Sequence, residues 1–423
     1  MAETILIKNI RAVDTERDFT GDVFIKDGKI AETGEKLNVQ ADRVINGEGL
    51  LLMPSLFDMH VHFRDPGQTH KEDIITGCKS ALAGGVTGVL AMPNTKPPCD
   101  SPEIIKYIIE KSKGTGVDVY PVGCITNGMN GDGLCDYEAL KNAGCICISD
   151  DGRPVENAEN MRKALEISKE NGLLVASHCE DLNIIDGGIM NKGEISEKLG
   201  VKGMDRSSED YITAREIILA SSADARIHIC HVSTEGSTAI IRFAKSRGVK
   251  VTCETAPHYF MLTEKLLENR DADYRMNPPL RTQDDVKAII EAIKDGTIDC
   301  IITDHAPHTA EEKSDFEKAP NGVVGLETSL SATLTALYHT GEISLQKVIE
   351  LMCVNPRKIL GLEVPEISVG KTADLVIADL GRKWTVEPEK LHSKSHNSVF
   401  KGMELTGKPL VTISKGKIVY ENL

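Results

Sequence analysis

The chain has 423 residues, 40% of them hydrophobic and 27% charged, with a formal net charge of −15. That length supports one large core with an accessory unit, and the negative balance argues against nucleic acid or an anionic membrane surface as partner. No apolar run reaches membrane-spanning length and no basic-then-apolar leader follows Met1, so the chain reads as soluble and cytoplasmic. Eleven scattered cysteines, several inside apolar runs, fit a reducing compartment better than a disulfide framework.

Residues 1–53 read as short strands (4–10, 22–26 and 29–32), with the last two joined at Asp27-Gly28, a dipeptide that favours a tight hairpin. From Pro54 the character changes. Apolar runs at 55–60, 86–92, 117–124, 145–150, 173–179, 226–232, 249–254 and 298–304 alternate with amphipathic segments such as 157–170, 208–220, 236–247 and 284–294. Eight β/α units predict an α/β fold, a (β/α)8 TIM barrel over 54–364. An open doubly wound sheet is the alternative, but no Gly-x-Gly-x-x-Gly follows the first run. Strands return at 374–377, 384–386, 410–414 and 417–420. Residues 365–423 are therefore expected to join 1–53 in a small accessory β-domain built from both chain ends.

Barrel chemistry sits at the C-terminal ends of strands, and here those ends are polar. His60 and His62, two residues apart, share one strand face. Later runs end at Asn94, Asp150-Asp151, His178, His228 or His231, Glu254 and Asp304. Ionisable groups converging in this way cost desolvation energy unless paired or metal-bound. His228 and His231 are an odd number apart, so at most one is expected to point inward, with His231 favoured. His258, past a proline, suits structural hydrogen bonding at least as well as ligation. The expected ligand set is His60, His62, His178, His231, a carboxylate after run four, and Asp304. Six ligands exceed one tetrahedral zinc but suit two metals sharing a bridging carboxylate.

Asp58-Met59-His60-Val61-His62-Phe63-Arg64-Asp65-Pro66-Gly67 resembles the first signature of dihydroorotases in the amidohydrolase superfamily. Asp304-His305-Ala306-Pro307-His308, followed by Lys313, resembles the second. Met92-Pro93-Asn94-Thr95, His178-Cys179-Glu180-Asp181, His231-Val232-Ser233-Thr234 and Asn277-Pro278-Pro279-Leu280-Arg281 also match in order, and the resemblance extends into the C-terminal stretch at 393–398. It implies that His60, His62 and Asp304 hold one Zn2+ and His178 and His231 a second. Many relatives bridge the ions with a carboxylated lysine on strand four, but no lysine lies between Lys141 and Lys163. The chain instead resembles the subgroup with aspartate there, Asp151 being the matching position, although strand parity alone does not choose between Asp150 and Asp151. If the shorter carboxylate bridges poorly, the second zinc is weakly held.

By the same resemblance Asp304 is the general base and acid. Arg64, Asn94 and His308 are expected to clamp a substrate carboxylate, since a guanidinium forms paired charge-assisted hydrogen bonds. His62, Asn277, Asn321 and Gly322 are expected to complete the substrate site, Asn321 standing where a bulkier residue is usual. The implied reaction is reversible cyclisation of N-carbamoyl-L-aspartate to L-dihydroorotate in pyrimidine synthesis. A homodimer is a family-level expectation, and the protein could also bind a partner enzyme such as aspartate transcarbamoylase. The charged segment 309–320 beside His308 is expected to act as a lid. Two other readings share the metal set: a hydantoinase, dihydropyrimidinase or allantoinase, whose uncharged rings would not need the clamp, and a silent scaffold homologue, which would be expected to have lost ligands.

Overall fold

The computed structural model describes residues 3–423. The expectation of no leader at Met1 falls outside the described residues. The first chain end supplies β1 (Ile5–Val13), β2 (Asp18–Lys26), β3 (Lys29–Gly34), β4 (Arg43–Asn46) and β5 (Leu51–Pro54). Ser55 alone separates β5 from β6 (Leu56–Val61). Then come β7 (Val86–Ala91), β8 (Asp118–Pro121), β9 (Cys147–Ile148) and β10 (Leu174–Ser177). Two short strands, β11 (Met190–Asn191) and β12 (Gly203–Met204), pair with each other. Next are β13 (Ile227–Ile229), β14 (Val251–Thr255) and β15 (Cys300–Ile301). The chain ends with β16 (Leu375–Thr385), β17 (Glu404–Ser414) and β18 (Lys417–Glu421).

The two chain ends form one eight-stranded sheet, ordered β18-β17-β16-β5-β1-β2-β3 with β4 on β1. Alternating apolar residues drive this, and Ile5, Ile7, Leu52, Leu375, Ile377 and Ile413 share one buried cluster. The runs at 374–377 and 384–386 are one strand, β16, whose register slips between Asp379 and Lys383. β4 was not anticipated, because only Ile45 of its four residues is buried.

The eight strands that match the predicted runs are all parallel. β6-β7-β8 form one ladder and β9-β10-β13-β14-β15 another. Parallel bridges from Gly123 to Ile148 and from Val61 to His305 link the two. Longer helices between the strands bury one stripe. The helix Ala158–Asn171, capped by the Asn157 side chain, buries Met161, Ala164, Leu165 and Ser168, the spacing of an amphipathic face. A second apolar cluster, including Phe57, Met59, Leu174, Cys230 and Cys300, draws on β6, β10, β15 and the segment after β13. Among the described residues no helix is long and apolar enough to cross a membrane. All eleven cysteines are unpaired and buried.

Candidate active site

The polar strand ends meet at one point. Asp151 lies among four imidazoles. Its Oδ1 is 3.3 Å from His60 Nε2, 3.6 Å from His178 Nδ1 and 3.4 Å from His231 Nε2, and its Oδ2 is 3.3 Å from His62 Nε2. Asp304 Oδ1 stands 3.1 Å from His62 Nε2 and 3.7 Å from His60 Nε2. The ligand atoms fall into two compact groups that share Asp151: His60 with His62, and His178 with His231. Asp150 takes no part. Its carboxylate accepts from the Ile125 and Thr126 amides and the Thr126 hydroxyl.

Two departures from regular strand geometry create this convergence. The β6–β7 register slips between Asp58 and Val61. His231, beyond the end of β13, has a φ of 34°. Strand alternation therefore stops before His231, and the expectation that at most one of His228 and His231 faces inward fails. Both are buried, and His228 Nε2 lies 3.1 Å from Glu254, which in turn binds His60. His258 Nε2 is buried without a partner, and burial lowers its pKa to about 4.

Electrostatics set the charge states. Burial alone would raise the Asp151 pKa, but His60 and the other imidazoles around it hold it well below the ordinary value. Burial works the same way on Asp304, and His62 with His60 outweighs it, so this group is also a carboxylate at neutral pH. His60 is pushed down by burial and raised further by Asp151 and Glu254.

His62, Asp151, His178, His231 and Asp304 form one wall of a cavity of about 230 Å³ whose lining also includes Arg64, Asn94, Asn277, His308, Asn321 and Gly322. Arg64 is 7% exposed, and burial lowers its pKa to about 10, so it stays a cation. Its Nη2 lies 3.2 Å from His308 Nε2. Burial, with Arg64, Lys71 and Lys313 nearby, drives the His308 pKa to about 2. The ring is therefore neutral, with Nε2 2.9 Å from the Asn321 carbonyl and Nδ1 facing the Lys71 ammonium at 3.2 Å. Asn94 Oδ1 meets His62 Nδ1 at 2.8 Å, and Asn277 donates to Glu180 at 2.9 Å. Glycines bring the loops close. A Cβ on Gly67 would fall 1.9 Å from the Lys96 carbonyl, so this glycine lets the loop after β6 lie against the loop after β7. Gly322, at φ 141°, leaves no room for a Cβ beside Ala306 and His308.

A family model described as "Dihydro-orotase-like" matches residues 49–237. A dihydroorotase of Geobacter metallireducens is 48% identical over 422 residues, 99% of each chain. One from Acetivibrio thermocellus is 46% identical over 419 residues, 98% of each. The chain belongs to the dihydroorotase family. Solved structures of other cyclic-amide enzymes share its fold. The L-hydantoinase (dihydropyrimidinase) of Arthrobacter aurescens superposes with a TM-score of 0.89 at 26% identity, covering 100% of this chain and 97% of that one. The dihydropyrimidinase of Brevibacillus agri gives 0.87 at 25% identity over 99% and 95%.

In this dihydroorotase-family chain the structure gives roles to residues that the sequence marks only as parts of motifs. Asn397, far along the chain, accepts from the His308 amide at 3.1 Å and donates to the Gly322 carbonyl at 2.9 Å. Lys313 sends its ammonium to the carbonyls of Arg275, Pro320 and Gly322 at 3.0–3.1 Å. The segment expected to be a lid is thereby pinned at Lys313 and at the buried Phe316. Asn397 and Lys313 both lie in stretches that resemble the family, but no local pattern shows which partners they take.

Proposed function

We propose that this cyclic amide hydrolase interconverts N-carbamoyl-L-aspartate and L-dihydroorotate on the route to UMP, within a (β/α)8 barrel over 54–364 that carries two zinc ions. Support for the barrel comes from the eight parallel strands and the two bridges that join their ladders. Residues 1–53 and 365–423 are read as two parts of one β-domain because their strands share a sheet. The observation that carries the function is the pairing, across one small cavity, of an Asp151-centred histidine cluster with the Arg64 cation.

The donor set fits a metal pair. His60 Nε2 and Asp151 Oδ1 are buried, face each other and have no hydrogen-bond partner, and nitrogen and carboxylate oxygen are zinc's ligands. His60, His62 and Asp304 would hold one ion and His178 and His231 the other, with Asp151 between them. When bound, the ions supply Lewis acidity and make hydroxide available near neutral pH.

The chain's own residues would do the rest. Arg64, with Asn94 and His308 beside it, holds the substrate carboxylate. His62, Asn277, Asn321 and Gly322 shape the ring pocket. In ring opening, water oxygen bonds to the amide carbonyl carbon, and Asp304 takes a proton and passes it to the ring nitrogen as the C–N bond breaks. Closure reverses these steps, forming the C–N bond and releasing water. Because closure removes one carboxylate charge, it takes up a proton, so acid favours the ring.

Eleven unpaired cysteines favour a cytoplasmic setting. The homodimer and the aspartate transcarbamoylase complex rest on the family resemblance alone.

The test is loss of ultraviolet absorbance when zinc-replete protein meets L-dihydroorotate, with hydantoin, dihydrouracil and allantoin in parallel. Turnover confined to dihydroorotate is expected. Turnover of the uncharged rings would overturn the clamp, and no turnover at all with zinc bound would overturn the enzyme assignment.

A further inference from the structure

Each half of the histidine cluster has one imidazole backed by a buried carboxylate. Behind the first half, His60 Nδ1 donates to Glu254 Oε1 at 2.6 Å. The other oxygen of Glu254 lies 3.1 Å from His228 Nε2, and His228 Nδ1 is 2.8 Å from the Thr252 hydroxyl. Behind the second half, His178 Nε2 faces Glu180 Oε2 at 3.3 Å, and Glu180 Oε1 accepts from Asn277 at 2.9 Å. The other two rings lack such support. His62 Nδ1 meets only the Asn94 amide oxygen, and His231 Nδ1 is buried without a partner.

An imidazole whose far N–H is held by a carboxylate is fixed in tautomer and orientation, and its free nitrogen is the more basic for it. The two carboxylates come from different segments, Glu254 from β14 and Glu180 from the loop after β10, and share no hydrogen-bond partner. They also differ in setting. Glu254 is fully buried and gripped by two rings, whereas Glu180 is 7% exposed and tied to a residue that lines the substrate cavity.

We propose that Glu254 and Glu180 are positioning residues that set the hold on the two metals separately, Glu254 for the His60–His62 position and Glu180 for the His178–His231 position. This rests on the two-metal reading above. It also makes the His178–His231 position the looser one.

The test is zinc release from the full chain into excess chromogenic chelator, after metal analysis of the loaded protein. Wild type is expected to carry two equivalents and release them in two phases. Glu180→Gln should speed the fast phase about 10- to 100-fold and leave the slow one alone, and Glu254→Gln should do the reverse. Circular dichroism checks that each variant is folded. If either is not, His228→Asn and Asn277→Ala, which remove the far anchor of each carboxylate, the second together with the 3.5 Å approach of Asn277 to His178, should speed the same respective phases by a smaller factor. Folded variants that release both ions at wild-type rates, or that speed both phases alike, would overturn the separate assignment. Wild-type protein with fewer than two equivalents would instead sink the two-metal reading, and this inference with it.

Discussion

At the scale of single residues, charge state decides what each group can do. Asp304 is ionised and lies within 3.1 Å of His62, so it can accept a proton at neutral pH. Asp304→Ala should cut kcat by at least about 100-fold, the low end for a lost general acid–base, while circular dichroism shows the chain still folded. Arg64→Met should act mainly on KM, lowering kcat/KM for dihydroorotate by about 10- to 100-fold through lost charge-assisted bonds. An unchanged KM would remove Arg64 from the clamp. His308 makes a prediction about acid. Its folded pKa of about 2 lies below the ordinary 6.5, so below pH 6.5 the unfolded chain takes up a proton that the native ring refuses. Native stability must then fall as pH drops from 6.5, by up to about 1.4 kcal/mol per pH unit from this group. Urea unfolding at pH 6.5 and 5 should show a smaller loss for His308→Gln than for wild type.

At the scale of elements, the sequence carried most of the plan but not its bends. The eight apolar runs mark all eight strands of the two linked parallel ladders, because β/α alternation is written in local hydrophobicity. The polar ends of those runs mark most of the cluster. What local periodicity could not show is where it breaks. His231 is turned by a left-handed φ, and the β6–β7 register slips between Asp58 and Val61, beside His60. Long-range partners are equally silent. The Asn397–His308 contact spans 89 residues, and a lone asparagine in a serine-rich stretch carries no sign of it. The Gly322 turn, by contrast, can be tested from geometry alone. In Gly322→Ala the new Cβ would lie 2.6 Å from the Ala306 carbonyl and 3.0 Å from the His308 ring. Strain of about 1–3 kcal/mol at such a position should appear as a fall of roughly 10-fold or more in kcat/KM. A wild-type value would mean that this wall of the pocket is soft.

At the scale of the molecule, the histidine cluster gathers side chains from near the ends of β6, β9, β10, β13 and β15, segments distant in sequence. Ions held there would tie these strands together, adding about 4 kcal/mol per ion at a free concentration 1,000 times Kd. Chelation should therefore lower the unfolding midpoint and zinc should restore it, while Asp151→Ala, lacking the shared ligand, should respond to neither. A wild-type midpoint indifferent to both would argue that the cluster holds no metal. The sheet made from the two chain ends contributes none of the six expected ligands and should not feel this directly.

The cysteines give that division an experimental handle. All eleven are buried, and they run from Cys78 to Cys353, so every one lies outside the eight-stranded sheet. Burial raises the pKa of each thiol, Cys78 and Cys353 for example to about 12, which leaves them poor nucleophiles while the protein is folded. The native molecule is thus dark to a thiol reagent, and each label that attaches records an opening of the parallel-strand body. Fraying at the two chain ends would leave no mark. A time course of labelling, read peptide by peptide, would function as a clock for one half of the molecule only, ticking faster wherever loss of metal lets the body breathe.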